Sequence, residues 1–132
     1  MSQIKATIKA IENFKSLNIV SFDFNEIVLK MVSLDLNEDV KSGKKVMLNI
    51  KPTSVAIAKN LCGMLSYSNQ IVSIIKDMEV GELLCSLKLL AGEDEFESII
   101  TTSSAKRMDL HIGDEITALI KANEISISEV LE

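Results

Sequence analysis

The sequence contains an internal repeat with a spacing of 70 residues, and this repeat divides the chain into two similar halves. Residues 42–57 and 112–127 align without a gap. Each stretch has a glycine, a charged pair, an apolar segment ending in Ile-Lys, a short break and a second apolar segment. A chain of 132 residues has room for one ordinary domain or two very small ones. Because repeated sequence units usually form repeated structural units, we predict two small modules.

Alternation of apolar and polar residues upstream of each repeat predicts half-buried β-strands. In the first half, Ile4, Ala6, Ile8 and Ala10 share one face of a strand. A second strand over 17–24 has an irregularity near Val20, and a third covers 27–32. In the second half, the same rhythm predicts strands over 70–78, 83–90 and 95–101. Turn residues at 80–82 and 91–94 separate these strands.

One short helix is expected in each half, between the third and fourth strands. In the second half it covers residues 103–108, with Ser or Thr as its N-cap, and in the first half a weaker signal lies at 36–40. Five strands with a helix after the third follow the order of a partly open OB-like barrel. We therefore predict an all-β protein of two tandem, OB-like, five-stranded Greek-key barrels, each with a short helix. The barrels cover 1–60 and 66–132, and the short apolar linker near 59–63 should pack them together.

The chain is apolar for its length, with 47% hydrophobic residues and a mean hydropathy of +0.25. No apolar run approaches the roughly 18–20 residues that span a bilayer, and no signal peptide or membrane insertion is expected. Excess apolar surface without a membrane segment indicates burial between subunits. The sequence therefore predicts a homo-oligomer.

Charge and cysteine content narrow the possible partners. The formal net charge is −5 and aromatic residues make up 4% of the chain. A nucleic-acid-binding protein usually has a basic surface with stacking aromatic residues, so nucleic acid is not an expected partner. Cys62 and Cys85 form no CxxC pattern, which favours free buried thiols in a reducing cytosol. A disulfide or a redox role is the alternative.

Three segments of the second half resemble a known family. They are Ser68-Asn69-Gln70-Ile71, the hydroxyl-rich segment 99–104, and the closing segment 108–125, which ends in Lys121-Ala122-Asn123-Glu124-Ile125. They resemble the S-A-R-N opening, the T/S-rich segment and the closing L-x-x-G-x-x-x-x-A-x-x-K-(A/S)-(S/T/N)-(D/E)-V motif of the molybdate-binding Mop module, also called TOBE. The resemblance covers roughly residues 66–128. The first half resembles the family mainly at Gly43 and over 51–55.

A chain with two such modules resembles the tandem, or di-Mop, members of this family. The resemblance implies a cytoplasmic protein that binds molybdate or tungstate for storage, buffering or homeostasis and is not an enzyme. It also implies a homotrimer with oxyanion sites between subunits. No GxxxxGK[ST] phosphate loop and no obvious helix-turn-helix segment is visible, so the longer transporter and regulator forms of the family are not expected.

Molybdate and tungstate are tetrahedral dianions that hydroxyl, amide and ammonium groups can hold without a free metal cation. Each hydrogen bond to such a charged acceptor contributes about 1.5–3 kcal/mol. The second barrel offers donors at its strand and helix ends: Ser68, Asn69, Thr101, Thr102, Ser103, Ser104, Lys121 and Asn123. The resemblance implies that Ser68 and Asn69 line one site together with Lys121, Ala122 and Asn123, with Lys121 balancing the charge.

The first barrel departs further from the family pattern. Its weaker candidates are Lys51 and Thr53, and Pro52 between them removes a backbone N–H. Even in the second barrel, Ser66-Tyr67-Ser68-Asn69 stands where the family has S-A-R-N, so Ser68 replaces an arginine. We therefore predict fewer oxyanion sites than a symmetrical tandem trimer would have.

Simpler interpretations exist for each of these features. Thr101–Ser104 is by itself typical of a helix cap, and Lys51 and Lys121 are also consistent with solvated strand ends. His111 and the acidic cluster at 93–95 are interpreted as surface features, and no residue pattern indicates acid–base or nucleophilic catalysis. The alternative function is a module without ligand that serves oligomerisation or docking, for molybdenum-cofactor enzymes or molybdate transport.

Overall fold

The computed structural model describes residues 2–131, which form ten β-strands, one α-helix and two short 3-10 helices. The strands are β1 (Ser2–Phe14), β2 (Leu17–Phe24), β3 (Ile27–Ser33), β4 (Lys45–Ile50), β5 (Ala56–Ala58), β6 (Asn69–Val80), β7 (Leu84–Ala91), β8 (Asp94–Thr101), β9 (Glu115–Ile120) and β10 (Ile125–Val130). The helix α1 covers Thr102–Arg107, and the 3-10 helices cover Pro52–Ser54 and Ala122–Glu124. The all-β prediction is confirmed.

The strands form two five-stranded antiparallel sheets. The first has the order β10-β4-β1-β2-β3 and the second the order β5-β9-β6-β7-β8. Within each sheet, four strands of one half lie in the spatial order 4-1-2-3, which is the Greek-key arrangement. Five strands per sheet and Greek-key connections agree with the sequence-based prediction.

The last strand of each half pairs with the sheet of the other half. β10 adds to β4, with Ile125 opposite Ile50, and β5 adds to β9, with Ala56 opposite Leu119. Side-chain alternation shows which face of a strand is buried but does not identify its neighbour. This exchange was therefore not expected from the sequence.

Equivalent residues of the two halves are 67 residues apart in the first three strands of each half and 70 residues apart from the fourth strand onwards. Ile8 and Ile75 occupy equivalent places, and an irregularity in strand register follows each of them. The amide of Gly43 donates to the Ile8 carbonyl over 2.8 Å, and the amide of Gly113 donates to the Ile75 carbonyl over 2.7 Å. Both glycines have φ above +90°, a conformation that side chains disfavour. The repeated glycine thus marks the turn into β4 and β9.

The irregularity predicted near Val20 is present, because Val20, Ser21 and Phe22 are all buried and the register shift between β1 and β2 lies opposite Ser21 and Phe22. Val20 is fully buried, and it continues the inward alternation of Phe22 and Phe24, whereas Leu17 is exposed. The register between β2 and β3 is regular, and the shift between β1 and β2 follows Ile8. The apolar alternation of β2 is therefore interrupted where the more exposed residues at its start are followed by three consecutive buried residues.

The helix predicted near 36–40 is wrong, since that segment contains only turns. In the second half, the Thr101 hydroxyl accepts a hydrogen bond from the Ser104 amide and caps α1. The equivalent position in the first half is Leu34, whose side chain cannot accept a hydrogen bond. The segment from Leu34 to Lys45 is also three residues shorter than that from Thr101 to Glu115. The first half therefore has neither the cap nor the length for this helix.

Residues of both sheets form one hydrophobic core cluster, including Phe22 and Leu29 from the first half and Leu89 and Phe96 from the second. At the start of the linker, the Lys59 ammonium donates to the carbonyls of Met108 and Asp109 at 3.0 and 2.7 Å. Cys85 is buried and Cys62 is exposed, and both thiols are free. Within residues 2–131, no helix has the length and apolar character needed to cross a membrane.

Candidate functional site

An open cleft of about 400 Å³ lies where the linker enters the second sheet, and we call it the Lys121 cleft. It is lined by residues that come from three separate parts of the chain: Val32, Ser66, Tyr67, Ser68, Lys121, Ala122 and Asn123. Four of these were predicted as site residues from the sequence: Ser68, Lys121, Ala122 and Asn123. The cleft thus brings together the end of the linker, the turn after β9 and one residue of β3.

The turn after β9 is fixed by its own backbone. Lys121 precedes the second 3-10 helix with extended torsion angles, and the Glu124 amide donates to the Lys121 carbonyl over 2.9 Å. The Glu124 carboxylate accepts a hydrogen bond from the Ser54 hydroxyl over 3.2 Å. Ser54 occupies the equivalent place in the first 3-10 helix, so the two repeated turns contact each other. Lys121 therefore projects from a backbone that both halves hold in place.

Polar side chains in this cleft have unused hydrogen-bonding capacity. In the part of the chain that the structure describes, the side chains of Ser66, Ser68, Lys121 and Asn123 form no hydrogen bond or ion pair, and all four residues are exposed. Among residues 2–131, Lys121 is the only charged residue that lines this cleft, in a chain with a net charge of −5. An ammonium group surrounded by hydroxyl and amide donors suits a small anion with several acceptor oxygens.

Asn69 is a predicted site residue whose side chain is already fully bonded. Its Oδ1 accepts from the Lys30 amide over 2.6 Å, and its Nδ2 donates to the carbonyls of Lys30 and Ile120 at 2.9 and 3.1 Å. The residue is completely buried. Asn69 thus joins β3 of the first half to β9 of the second, and it fixes the place where the linker enters β6.

The hydroxyl-rich segment 101–104 lies outside the Lys121 cleft. The Thr101 hydroxyl caps α1 and bonds to the Ser104 hydroxyl over 2.9 Å. The Thr102 side chain is buried and donates to the Gly81 carbonyl over 2.9 Å. The exposed Ser103 hydroxyl lies 3.4 Å from that of Thr101. The hydroxyl groups of Thr101 and Thr102 are therefore used by the helix cap and by a contact with the β6–β7 turn, respectively.

Thr101 and Ser104 line a second open cleft of about 470 Å³, which we call the hydroxyl cleft. Its other lining residues come from both halves and include Thr53, Ser54, Tyr67 and Ile99. Thr53, predicted as a weaker first-half candidate, thus lies near the helix cap of the second half. Lys51 is exposed and lines neither cleft.

Sequence reasoning did not select Val32, Ser66 or Tyr67. Ser66 and Tyr67 adjoin the family-like Ser68-Asn69 pair, and this proximity was an available signal. Val32 could not be identified in this way, since it belongs to the other half and reaches the cleft only because β3 packs against the second 3-10 helix. A site that combines both halves requires knowledge of the strand exchange.

Residues with shifted pKa values lie outside both clefts. The His111 amide hydrogen bond and the nearby Lys59 ammonium hold the pKa of Asp114 below its ordinary value. A hydrogen bond from Lys76 lowers the pKa of Glu95, and burial raises that of the Cys85 thiol. Among residues 2–131, no cluster of three or more His, Cys, Asp or Glu side chains could hold a metal ion. Lys121 is therefore the charged group that characterises the Lys121 cleft, and the residues with shifted pKa values lie elsewhere.

Comparison with known proteins agrees with this geometry. The family model of the TOBE domain matches residues 65–127, a range that contains the linker end and the Lys121 turn. Residues 65–127, just under half of the chain, therefore resemble a TOBE domain. The family resemblance of the second half is therefore confirmed.

Two molybdenum transport proteins have sequences related to part of this chain. The molybdenum transport protein ModE of Azotobacter vinelandii is 31% identical over 64 residues, covering 48% of this chain and 24% of the relative. ModE of Herbaspirillum seropedicae is 26% identical over 83 residues, covering 62% of this chain and 31% of the relative. The chain thus spans about a quarter to a third of the length of these relatives.

A solved structure matches the whole fold, including the half without a TOBE match. The crystal structure of the cytoplasmic molybdate-binding protein ModG, with molybdate bound, has a TM-score of 0.88 and 23% sequence identity. The alignment covers 95% of this chain and 93% of that structure. Both halves of this chain, together with the strand exchange between them, therefore belong to a ModG-like fold.

Proposed function

We propose that this protein binds molybdate or tungstate as a ligand in the Lys121 cleft. The observation that carries the proposal is the set of unbonded donors around one lysine, at the place where the TOBE family motif ends. The description of ModG as a molybdate-binding protein supports the choice of ligand. The proposed activity is binding without a chemical reaction.

The donor set is matched to a tetrahedral dianion. The Lys121 ammonium supplies charge, while Ser66, Ser68 and Asn123 supply neutral hydrogen bonds. At about 1.5–3 kcal/mol for each hydrogen bond to a charged acceptor, three or four such bonds outweigh moderate desolvation and ordering costs. Molybdate and tungstate are nearly equal in size and charge, so hydroxyl donors do not separate them strongly.

We further propose that the protein acts as a homotrimer, with oxyanion sites completed across subunit boundaries. The cleft is open on one side, which leaves room for residues from a second copy. Several large apolar side chains are also exposed and would gain from burial: Phe14, Leu34, Met64 and Leu83 are 65–99% exposed. These residues lie on strand ends, hairpin tips and the linker, and together they support self-association.

The first half is expected to bind more weakly, so the assembly should have fewer occupied sites than its symmetry allows. Lys51 lies outside both clefts, and Pro52 and Thr53 replace the Ala122 and Asn123 of the second half. For such an oxyanion-binding protein, we propose a cytoplasmic role in the storage, buffering or homeostasis of molybdenum or tungsten. The likeness to a protein described as cytoplasmic supports that location.

Isothermal titration with molybdate, tungstate, sulfate and phosphate tests the ligand. Molybdate and tungstate should give saturable heats at micromolar to hundred-micromolar concentrations. Lys121→Met should weaken binding by about tenfold or more, because it removes the cleft's only cation. Lys41→Met, a matched change at an exposed lysine outside the cleft, should bind like the wild type, and Lys51→Met should stay within about threefold of it.

Native mass spectrometry of the same samples tests the assembly. A trimer with fewer bound anions than symmetry-related clefts is the expected result. Oligomers that give no heat with either anion would contradict the proposed ligand and favour a docking or oligomerisation module. A monomer at micromolar concentration would contradict the proposed trimer.

A further inference from the structure

Tyr67 lies at the junction of the two clefts. It lines the Lys121 cleft together with Ser66 and Ser68, and it lines the hydroxyl cleft together with Thr53 and Thr101. It shares this position with no other residue, since the remaining lining residues of the two clefts differ. Tyr67 therefore forms the boundary between the lysine of one cleft and the hydroxyl groups of the other.

The backbone of Tyr67 is held in place although it belongs to the linker. Its carbonyl accepts a hydrogen bond from the Gln70 side-chain amide over 3.0 Å. Two residues further on, the buried Asn69 side chain is bonded to Lys30 and Ile120. These contacts hold the backbone at and after Tyr67 before any ligand binds, so that binding has to order mainly its side chain.

The phenol group of Tyr67 has no partner of its own. The residue is half-buried, and within residues 2–131 its hydroxyl forms no hydrogen bond. Tyrosine hydroxyls that are partly removed from water usually find a partner. A phenol O–H in a cleft that also contains a lysine can donate to an anion without adding further charge.

We propose that Tyr67 is a ligand-contacting residue of the Lys121 cleft, where its phenol O–H adds a further neutral donor to those of the serine and asparagine side chains. The inference rests on the proposed function. Ser68 stands where the family pattern has arginine, and Tyr67 stands where it has alanine. Relative to the family pattern, this chain therefore has a phenol one residue before the position of the guanidinium, and both positions line the Lys121 cleft.

The composition of the chain provides a direct probe. Tyr67 is the only tyrosine and the chain has no tryptophan, so tyrosine emission reports on this one position. Titration with sodium molybdate and with sodium tungstate should change the emission with the same midpoint as the calorimetric titration. Free N-acetyl-tyrosinamide, titrated in parallel, corrects for light absorbed by the anions.

Tyr67→Phe tests the hydroxyl separately from the ring, and its size makes it compatible with the fold. Calorimetry should show binding weakened by about tenfold, the effect of one hydrogen bond to a charged acceptor. Ser16→Ala removes an exposed hydroxyl in the β1–β2 turn and should bind like the wild type. Thermal melts of all proteins check that they are equally folded.

The outcomes separate this inference from the proposed function. If the wild type binds but Tyr67→Phe stays within twofold of it, or the emission is unchanged at calorimetric saturation, Tyr67 is not a ligand contact and the proposed function stands. If the wild type binds neither anion, both are overturned. Weaker binding by Tyr67→Phe with a saturating emission change in the wild type supports both.

Discussion

Ser2 and Asn69 occupy equivalent positions at the start of the first strand in each half, and both bond to a strand of the other half. The Ser2 hydroxyl accepts one hydrogen bond, over 2.8 Å, from the Glu97 amide of β8. The Asn69 side chain makes three hydrogen bonds, two of them to Lys30 of β3. Lys30 and Glu97 are themselves equivalent, so the same contact occurs twice with different strength.

The turns that follow the fourth strand differ in a similar way. In the second half, Lys121-Ala122-Asn123 lines a cleft with an unbonded ammonium, whereas in the first half the corresponding Lys51 stands apart from both clefts. The first half nevertheless supplies Val32 to the cleft of the second and anchors its Asn69. The two halves therefore share one fold but differ in role. The second half carries the donor side chains of the cleft, and the first half holds them in position by packing and hydrogen bonds.

Core truncation gives the largest expected effect and tests whether the halves are one unit. Phe22 and Leu89 are equivalent and fully buried in the single core cluster. Phe22→Ala should lower the free energy of unfolding by about 3–5 kcal/mol and Leu89→Ala by about 2–5 kcal/mol. Urea unfolding of each variant, followed by far-UV circular dichroism and by Tyr67 emission, should show one coincident transition. Two separate transitions would mean that the halves unfold independently.

Truncation of Asn69 and Ser2, the two side chains that bond to the other half, should have an intermediate effect on the free energy of unfolding. It compares the two halves at equivalent positions. Asn69→Ala deletes three hydrogen bonds and leaves the Lys30 amide and carbonyl without those partners, at a cost of about 2–3 kcal/mol. Ser2→Ala deletes one and should cost about 1 kcal/mol. Urea denaturation measures both. An equal loss of unfolding free energy in the two variants would contradict this difference. The Asn69 and Ser2 contacts would then stabilise the fold equally, although their numbers of hydrogen bonds differ.

The smallest expected effect concerns a turn that carries a hydrogen-bonded carboxylate in the second half, where the first half has Lys44. Asp114 accepts a hydrogen bond from the His111 amide over 2.8 Å and lies 3.5 Å from the Lys59 ammonium. Its pKa is held below the ordinary value of 3.8, so its ionised form stabilises the fold above that pH. This contribution is lost as the pH falls through the lowered pKa of the folded state.

We expect Asp114→Ala to lower Tm slightly at pH 7 and to match the wild type near pH 2. Lys44→Ala, at the equivalent first-half position, should show no such acid-dependent difference. Thermal melts across this pH range measure both variants. A constant difference between Asp114→Ala and the wild type down to pH 2 would assign the effect to packing and not to charge.

The sequence predicted most strands because period-two alternation reports directly on burial. It predicted α1 because Thr101 and its neighbours are strong capping residues, and it placed Lys121, Ala122 and Asn123 together because the turn is local. The wrong helix near Leu36 came from treating the repeat as exact, although that segment is shorter and lacks a capping side chain. Alternation could not identify β10 as the neighbour of β4. The same face of β10 would be buried whether it joined the first sheet or the second.

Prediction of the candidate site from the sequence was incomplete for the same reason, because contacts between distant parts of the chain decide which side chains are free. The amide side chain of Asn69 can both donate and accept hydrogen bonds. The sequence does not show that backbone groups of β3 and β9 already occupy its donor and acceptor atoms. Thr101 and Ser104 are suitable donors by type, but the helix cap engages them away from Lys121. Val32 has no polar atom in its side chain and enters the cleft only through the packing of β3 against a turn from the other half.

The exchange of final strands also affects how the protein is made. During synthesis, β1 to β4 leave the ribosome long before β10, whose residues 125–130 complete the first sheet beside β4. Until then the edge of β4 has no neighbour and can pair with other chains. Pairing between Asn49 and Ser126 spans more than half of the chain, and such distant contacts slow folding. Newly made chains therefore pass through a period in which the first half is exposed to aggregation, and synthesis of the second half ends it.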